Sequence, residues 1–175
     1  MIAPPRLLHL IPTDARRAGL VVVVGAADDF RLAALCAGFA DQGYEVMAPP
    51  VDDIDTAVLA LCGPVVVLAI GQGAIPACVA ATRLTKITAV SLFDPPSGGL
   101  DLAPACPMIV HLATGADGAS TLGLDELRAR WPDLVVYPYR TEPGFIFGDS
   151  DAAQLARLRT LQLFHRAGGK AEMGG

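Results

Sequence analysis

Apolar residues fall along this chain in short, continuous runs rather than in alternation. Leu20-Val21-Val22-Val23-Val24, Val65-Val66-Val67-Leu68-Ala69-Ile70 and Ile87 to Phe93 are the clearest. Runs of strand length with no polar face predict strands covered on both sides, as in a parallel sheet. Weaker runs predict further strands at Tyr44–Ala48, Met108–Ala113 and Leu134–Tyr137, with an edge strand at Arg6–Leu10. Between them the period lengthens. Helices are predicted over Phe30–Ala40, Asp53–Leu61, Ala74–Arg83, Leu122–Trp131 and Asp151–Arg166. Asp52 or Asp53 and Asp28 or Asp29 are the N-cap residues this pattern offers.

Strands alternating with helices predict an α/β sandwich of three layers, with a mostly parallel sheet of about six or seven strands. Right-handed crossovers bring every loop after a strand to one edge, where such sheets bind their ligands. The loops to inspect are therefore Gly25–Asp29, Gly71–Ile75, Asp94–Gly99, Thr114–Ser120 and Tyr139–Gly148. One domain is expected over residues 1–167, with a flexible tail at 168–175.

Composition narrows the function classes. With 53% hydrophobic residues and only 18% charged, disorder is excluded. No apolar run reaches the ~18 residues of a membrane span, and the N-terminus lacks the pattern of a signal peptide. A net charge of −5 and the lack of a basic stripe argue against nucleic acid. Cys36, Cys62, Cys78 and Cys106 are widely spaced among apolar neighbours. They are expected to be buried thiols of a cytoplasmic protein rather than disulfides or a zinc site. No metal site and no cofactor is expected.

The segment Gly71-Gln72-Gly73-Ala74-Ile75 joins a buried strand to a helix of small residues. A strand, a sharp turn and a helix form the setting of G-x-nucleophile-x-G. In this register the nucleophile position is Gly73, which has no side chain. With Val21–Gly25, Phe39–Pro49, Gly115-Ala116-Asp117 and Pro143-Gly144-Phe145, the chain resembles the dienelactone hydrolase family of α/β-hydrolases. The resemblance runs from about Gly19 to His165. It implies cofactor-free cleavage of enol-lactone and ester bonds by a Cys (or Ser), Asp and His in chain order. Matched residue by residue, Asp117 retains the acid position, Gly73 stands at the nucleophile and Pro143 at the base. The glycine after the nucleophile is Ile75, and the stretch between Pro50 and Asp55 is short, which implies a reduced cap.

The resemblance therefore implies a degenerate homologue with a binding or structural role, its ligand an ester or lactone. Gly25, Ala26, Gln72, Asp94 and Thr114 are the pocket candidates. A second reading is an active hydrolase with a relocated nucleophile, for which Cys78 is the nearest thiol. It stands about one and a half helical turns beyond Gly73, on the side expected to face the core. A third reading is a dinucleotide site. Gly71 and Gly73 would then meet the pyrophosphate, and Asp94, roughly 20 residues on, the ribose. Pro76 stands where that fingerprint needs its third glycine. A scaffold for self-association is the remaining role.

Other polar residues have ordinary explanations. Ser91 lies inside a strand, and Thr114 and Ser120 fit loop polarity. His111 reads as a core histidine, and His165 as a cation at a helix C-terminus; His9 lies near the start.

Overall fold

A computed structural model describes residues 7–25, 29–96, 98, 100–118 and 122–168. Seven strands form one sheet: β1 (Leu8–Leu10), β2 (Ala18–Val24), β3 (Tyr44–Ala48), β4 (Val65–Ile70), β5 (Ile87–Phe93), β6 (Met108–Ala113) and β7 (Val135–Tyr139). Their order is β1-β3-β2-β4-β5-β6-β7. Only the β1–β3 pair is antiparallel. Helices α1 (Asp29–Ala40), α2 (Ile54–Ala60), α3 (Ala74–Arg83), α4 (Leu122–Arg130) and α5 (Asp151–Gly168) cover the two faces.

The pleat sorts each apolar run between two cores. Val21, Val23, Val65, Val67 and Ala69 face α2, α3 and α4, whereas Leu20, Val22, Val66, Leu68 and Ile70 face α1 and α5. Both sets are buried, which is why these strands show no polar alternation. Each fully buried Val or Leu contributes about 1.5–3 kcal/mol of transfer free energy. Ala77, Ala80 and Ala81 are the buried face of α3; their small side chains let this helix lie close to the sheet.

The predicted elements all form, with shifted ends. The edge strand starts at Leu8, and the last helix continues through Gly168, inside the expected tail. Residues 169–175 lie outside the described residues. A 3₁₀ turn at Val51–Asp53 precedes α2, and neither Pro50 nor Asp53 caps these turns through its side chain. Between β3 and β4 there is only this turn and the short α2, as the reduced cap implied. A 3₁₀ turn at Phe145–Phe147, entered through left-handed Gly144, was not anticipated.

The strand order reverses between β2 and β4. To one side of that point run β3 and β1, and to the other β5, β6 and β7. The loops leaving β2 and β4 diverge there and leave a crevice at the carboxyl edge.

Candidate active site

Gly25 ends β2 and Gly71 ends β4, so both stand at this reversal. A cleft of ≈ 650 Å³ opens beside them, lined by Gly25, Gln72, Val51, Ile54, Ile75 and Pro76 among others. Arg83 and Asp55 close one side with an ion pair of 3.0 Å. Gly25 and Gln72 are in close approach: a Cβ on Gly25 would lie 2.7 Å from the Cβ of Gln72. The β2 loop and the β4 turn therefore press against each other backbone to side chain. Ala26 and Asp28, also of that loop, lie outside the described residues, as does Ser120.

The turn after β4 is built on two glycines with different tasks. Ile70 is extended, and Gly71 turns the chain with φ +56°, the left-handed region. A Cβ on Gly71 would meet nothing within 4 Å. Gly73 is helical, at φ −65°, ψ −17°. A Cβ there would lie 2.6 Å from the carbonyl oxygen of Val23 and 2.9 Å from its carbon. Gly73 thus lets the start of α3 pack on the backbone of β2, and Gly71 supplies the bend.

The loops expected to carry the acid and the base meet each other. Gly115 donates its N–H to the Thr141 carbonyl at 3.1 Å, and Ala116 donates to Glu142 Oε1 at 3.1 Å. Asp117 and Pro143 therefore sit on adjoining, stitched loops, with Pro143 exposed. Neither lines the cleft beside Gln72.

Asp94, proposed from the sequence as a ligand or ribose carboxylate, has another task. Its Oδ1 accepts the N–H of Ala113 at 2.7 Å and its Oδ2 that of Gly144 at 3.1 Å. Its own N–H donates to the His111 carbonyl at 2.9 Å. Both oxygens are committed to backbone, in a residue held at φ +47°. Burial raises its pKa, and the two backbone N–H groups oppose that rise. Thr114 is likewise committed. It is buried, and its N–H and hydroxyl both donate to the Tyr139 carbonyl.

Cys78 is buried against the sheet, and desolvation, with Cys106 nearby, pushes its thiol up to about 12. A thiol held that far above neutral is not a nucleophile. Cys36 is similar, whereas Cys62 is exposed. Ser91 and His111 are core residues, as expected. Ser91 Oγ and Thr160 Oγ1 are 2.9 Å apart, and His111 lies between Thr160 Oγ1 (3.1 Å) and the Tyr139 hydroxyl (3.0 Å). Arg159 also donates to that hydroxyl. Burial first, then the Arg159 charge, lowers the His111 pKa to about 3, so the ring is neutral. For His165 the helix-dipole role is opposed: desolvation and the charge of Arg17 lower its pKa. Among the described residues no group of three His, Cys, Asp or Glu is placed to hold a metal, and no helix is long and apolar enough to cross a membrane.

No protein-family model matches the chain, and no curated protein matches its sequence. Solved structures do match. An esterase domain from Rhodothermus marinus superposes with a TM-score of 0.71 at 10% identity, covering 91% of this chain and 92% of that one. A monoacylglycerol lipase from Paleococcus ferrophilus gives 0.67 at 14% identity, covering 91% and 98%. A protein described as a dienelactone hydrolase from Klebsiella pneumoniae gives 0.64 at 15%, covering 90% and 91%. The chain has the α/β-hydrolase fold. Within the α/β-hydrolase fold, the turn after β4 corresponds to the strand-to-helix turn that displays a nucleophile. The loop after β2 corresponds to the one that lends an N–H to the oxyanion hole. The resemblance to dienelactone hydrolases is thus met at the level of the fold. Two features were not visible in the sequence: the sign of φ at Gly71 and the commitment of both Asp94 oxygens. The first had one available signal, the small residue Ala69 two places before Gly71 and Gly73 two places after it.

Proposed function

We propose that this chain is a catalytically degenerate α/β-hydrolase-like protein, which holds an ester- or lactone-type ligand beside Gly25 and Gln72 without cleaving it. The observation that carries the reading is Gly71. In an α/β-hydrolase the nucleophile occupies the strained turn between strand and helix, with its side chain projecting into open space. Here the left-handed φ and the open space coincide at Gly71. The motif then reads Ala69-Ile70-Gly71-Gln72-Gly73, with small residues two places either side of the turn. Gly73 takes the second small position, where a Cβ would strike Val23. In either register the nucleophile position is a glycine. Pro143 stands at the base position, so the position the family gives to its general base carries no imidazole. Oxyanion-hole donors alone leave roughly 10³–10⁴ over the uncatalysed rate, too little for a metabolic flux.

The alternatives lose support at named atoms. A relocated Cys78 nucleophile is opposed by its burial, and a ribose-binding Asp94 by its two backbone partners. The test is hydrolysis of a panel of activated esters and a dienelactone by the purified protein, beside a thiol-blocked sample. No turnover above the blank is expected, with saturable binding of a non-hydrolysable ester analogue. Turnover abolished by blocking would overturn the reading and place a cysteine in the chemistry. The register is tested separately. In Gly71→Cys the new thiol is expected to react with iodoacetamide as an exposed thiol, read by peptide mass spectrometry. In Gly73→Cys the new thiol is expected to be shielded or the fold lost. Slow labelling at 71 would return the nucleophile position to 73.

A further inference from the structure

The cleft beside Gly25 and Gln72 extends along α3, and that extension has a chemistry of its own. Gln72, Ile75, Pro76, Val79 and Arg83 line it from the β4 turn and the helix. Their steps of three and four residues place them on one face of α3. The opposite face, with Ala77, Ala80 and Ala81, is buried against the sheet. The middle of the open face is apolar and accessible. Ile75 and Pro76 are half-buried, and Val79 is 36% exposed. Pro76 stands in the first turn of α3, where a proline is tolerated, and sets a rigid ring into the stripe. Val51, half-buried in the turn after β3, lines the same groove from the other wall.

The far end of the groove is closed. Arg83 is the last residue of α3, and Asp55 belongs to the first turn of α2. One guanidinium nitrogen of Arg83 lies 3.2 Å and 3.0 Å from the two carboxylate oxygens of Asp55. The pair thus bridges the two helices across the groove. From Ile75 to Arg83 the helical rise gives a length of about 12 Å, of which the folded-back Arg83 side chain takes a part. The pairing also leaves Arg83 spent. Asp52, exposed, is then the remaining charge of the lining, so the groove is on balance acidic and does not favour an anion.

We infer that the ligand of this cleft is an uncharged ester with a straight acyl chain of about octanoyl length. The chain lies along Ile75, Pro76 and Val79, and the Arg83–Asp55 pair sets its limit. This rests on the ligand reading of the cleft given above, and adds to it the chemistry of the ligand's body.

The probes are the N-methyl amides of butanoic, hexanoic, octanoic and decanoic acid, uncharged and resistant to cleavage, titrated against the full chain by calorimetry. Octanoate at matched ionic strength is the charged comparison. Burial of a whole CH2 is worth roughly fourfold in affinity, and a groove open on one side realises about half of that free energy, roughly twofold per CH2. Affinity is therefore expected to rise roughly tenfold or more from the butanoyl to the octanoyl amide and to gain nothing further at decanoyl, with octanoate weaker than its amide. In Arg83→Ala the gain should continue to decanoyl. In Val79→Asp the octanoyl amide should fall to the level of the butanoyl amide. Both positions are exposed, so each variant should melt near the wild-type temperature. Binding that is flat across the series would overturn the groove and leave the ligand reading standing, whereas no binding by any amide would overturn both. A gain that continues to decanoyl in wild type, or that still stops at octanoyl in Arg83→Ala, would overturn the limit set by the ion pair. Octanoate binding as tightly as its amide would overturn the preference for an uncharged ligand.

Discussion

Two glycines, two places apart, present opposite surroundings to an added side chain. At position 73 a Cβ would overlap the Val23 carbonyl, and the thing displaced would be backbone at the centre of the sheet. At position 71 space is free and only the left-handed φ resists, a resistance of roughly 1–2 kcal/mol for most residues and least for Asn and Asp. Asn at each position therefore separates the two effects. Gly71→Asn is expected to stay within about 1 kcal/mol of wild type in urea unfolding, its φ being tolerated. Gly73→Asn is expected to lose about 1–3 kcal/mol or more by overpacking. Equal losses would mean that the two glycines do not divide the work of the turn in this way.

Helix α5 is tied to the sheet by more than apolar packing. Its Thr160 bonds Ser91 of β5 and His111 of β6, and its Arg159 lies 4.0 Å over the ring of Tyr137 and donates to Tyr139 of β7. Three strands are thus read by one helical turn through polar groups buried in an apolar layer. Such a network is stable only while every member is satisfied. Protonating His111 would put a second cation beside Arg159, so the native state resists it. With the pKa near 3 folded and near 6.5 unfolded, the unfolded chain binds the extra proton first as pH falls. Stability from this residue is complete above pH 6.5 and declines towards pH 3, by about 3 kcal/mol between pH 7 and pH 4. Asp94, with its pKa raised, changes stability in the opposite sense, losing it as pH rises through its folded value. His111→Gln keeps a donor and an acceptor but does not titrate. Its urea midpoint is expected to depend less on pH over that range than that of wild type. An unchanged acid limb would show that other groups set it.

At the scale of the molecule, the sandwich was legible because a doubly covered parallel sheet leaves an unmistakable trace. Runs such as Val65–Ile70 have no other home in a chain whose intervening segments are helical. The position of the glycine turn was legible for the same reason, since it had to follow that strand. The conformation of its residues was not, because Gly71 and Gly73 have the same composition and differ only in what tertiary structure puts around them. The roles of Asp94 and the His111 network were hidden on similar grounds. Each depends on partners far along the chain, and an Asp after a strand looks alike as a ligand, a cap or a clamp.

That clamp has a consequence in time. Asp94 joins the end of β5 to Ala113, the last residue of β6, and to Gly144 after β7, the latter contact spanning 50 residues of chain. Its two partners come together only when β5, β6 and β7 and their crossovers are in place, so the complete clamp belongs among the last contacts to close. Interactions absent from the folding transition state hold a protein folded without helping it to fold. In stopped-flow experiments Asp94→Asn, which can accept through only one side-chain oxygen, is therefore expected to unfold several-fold faster than wild type and to refold at nearly the same rate. A slowed refolding arm would instead place the clamp in the nucleus. The residue that looked like a contact for a ligand would then govern how long the molecule lasts.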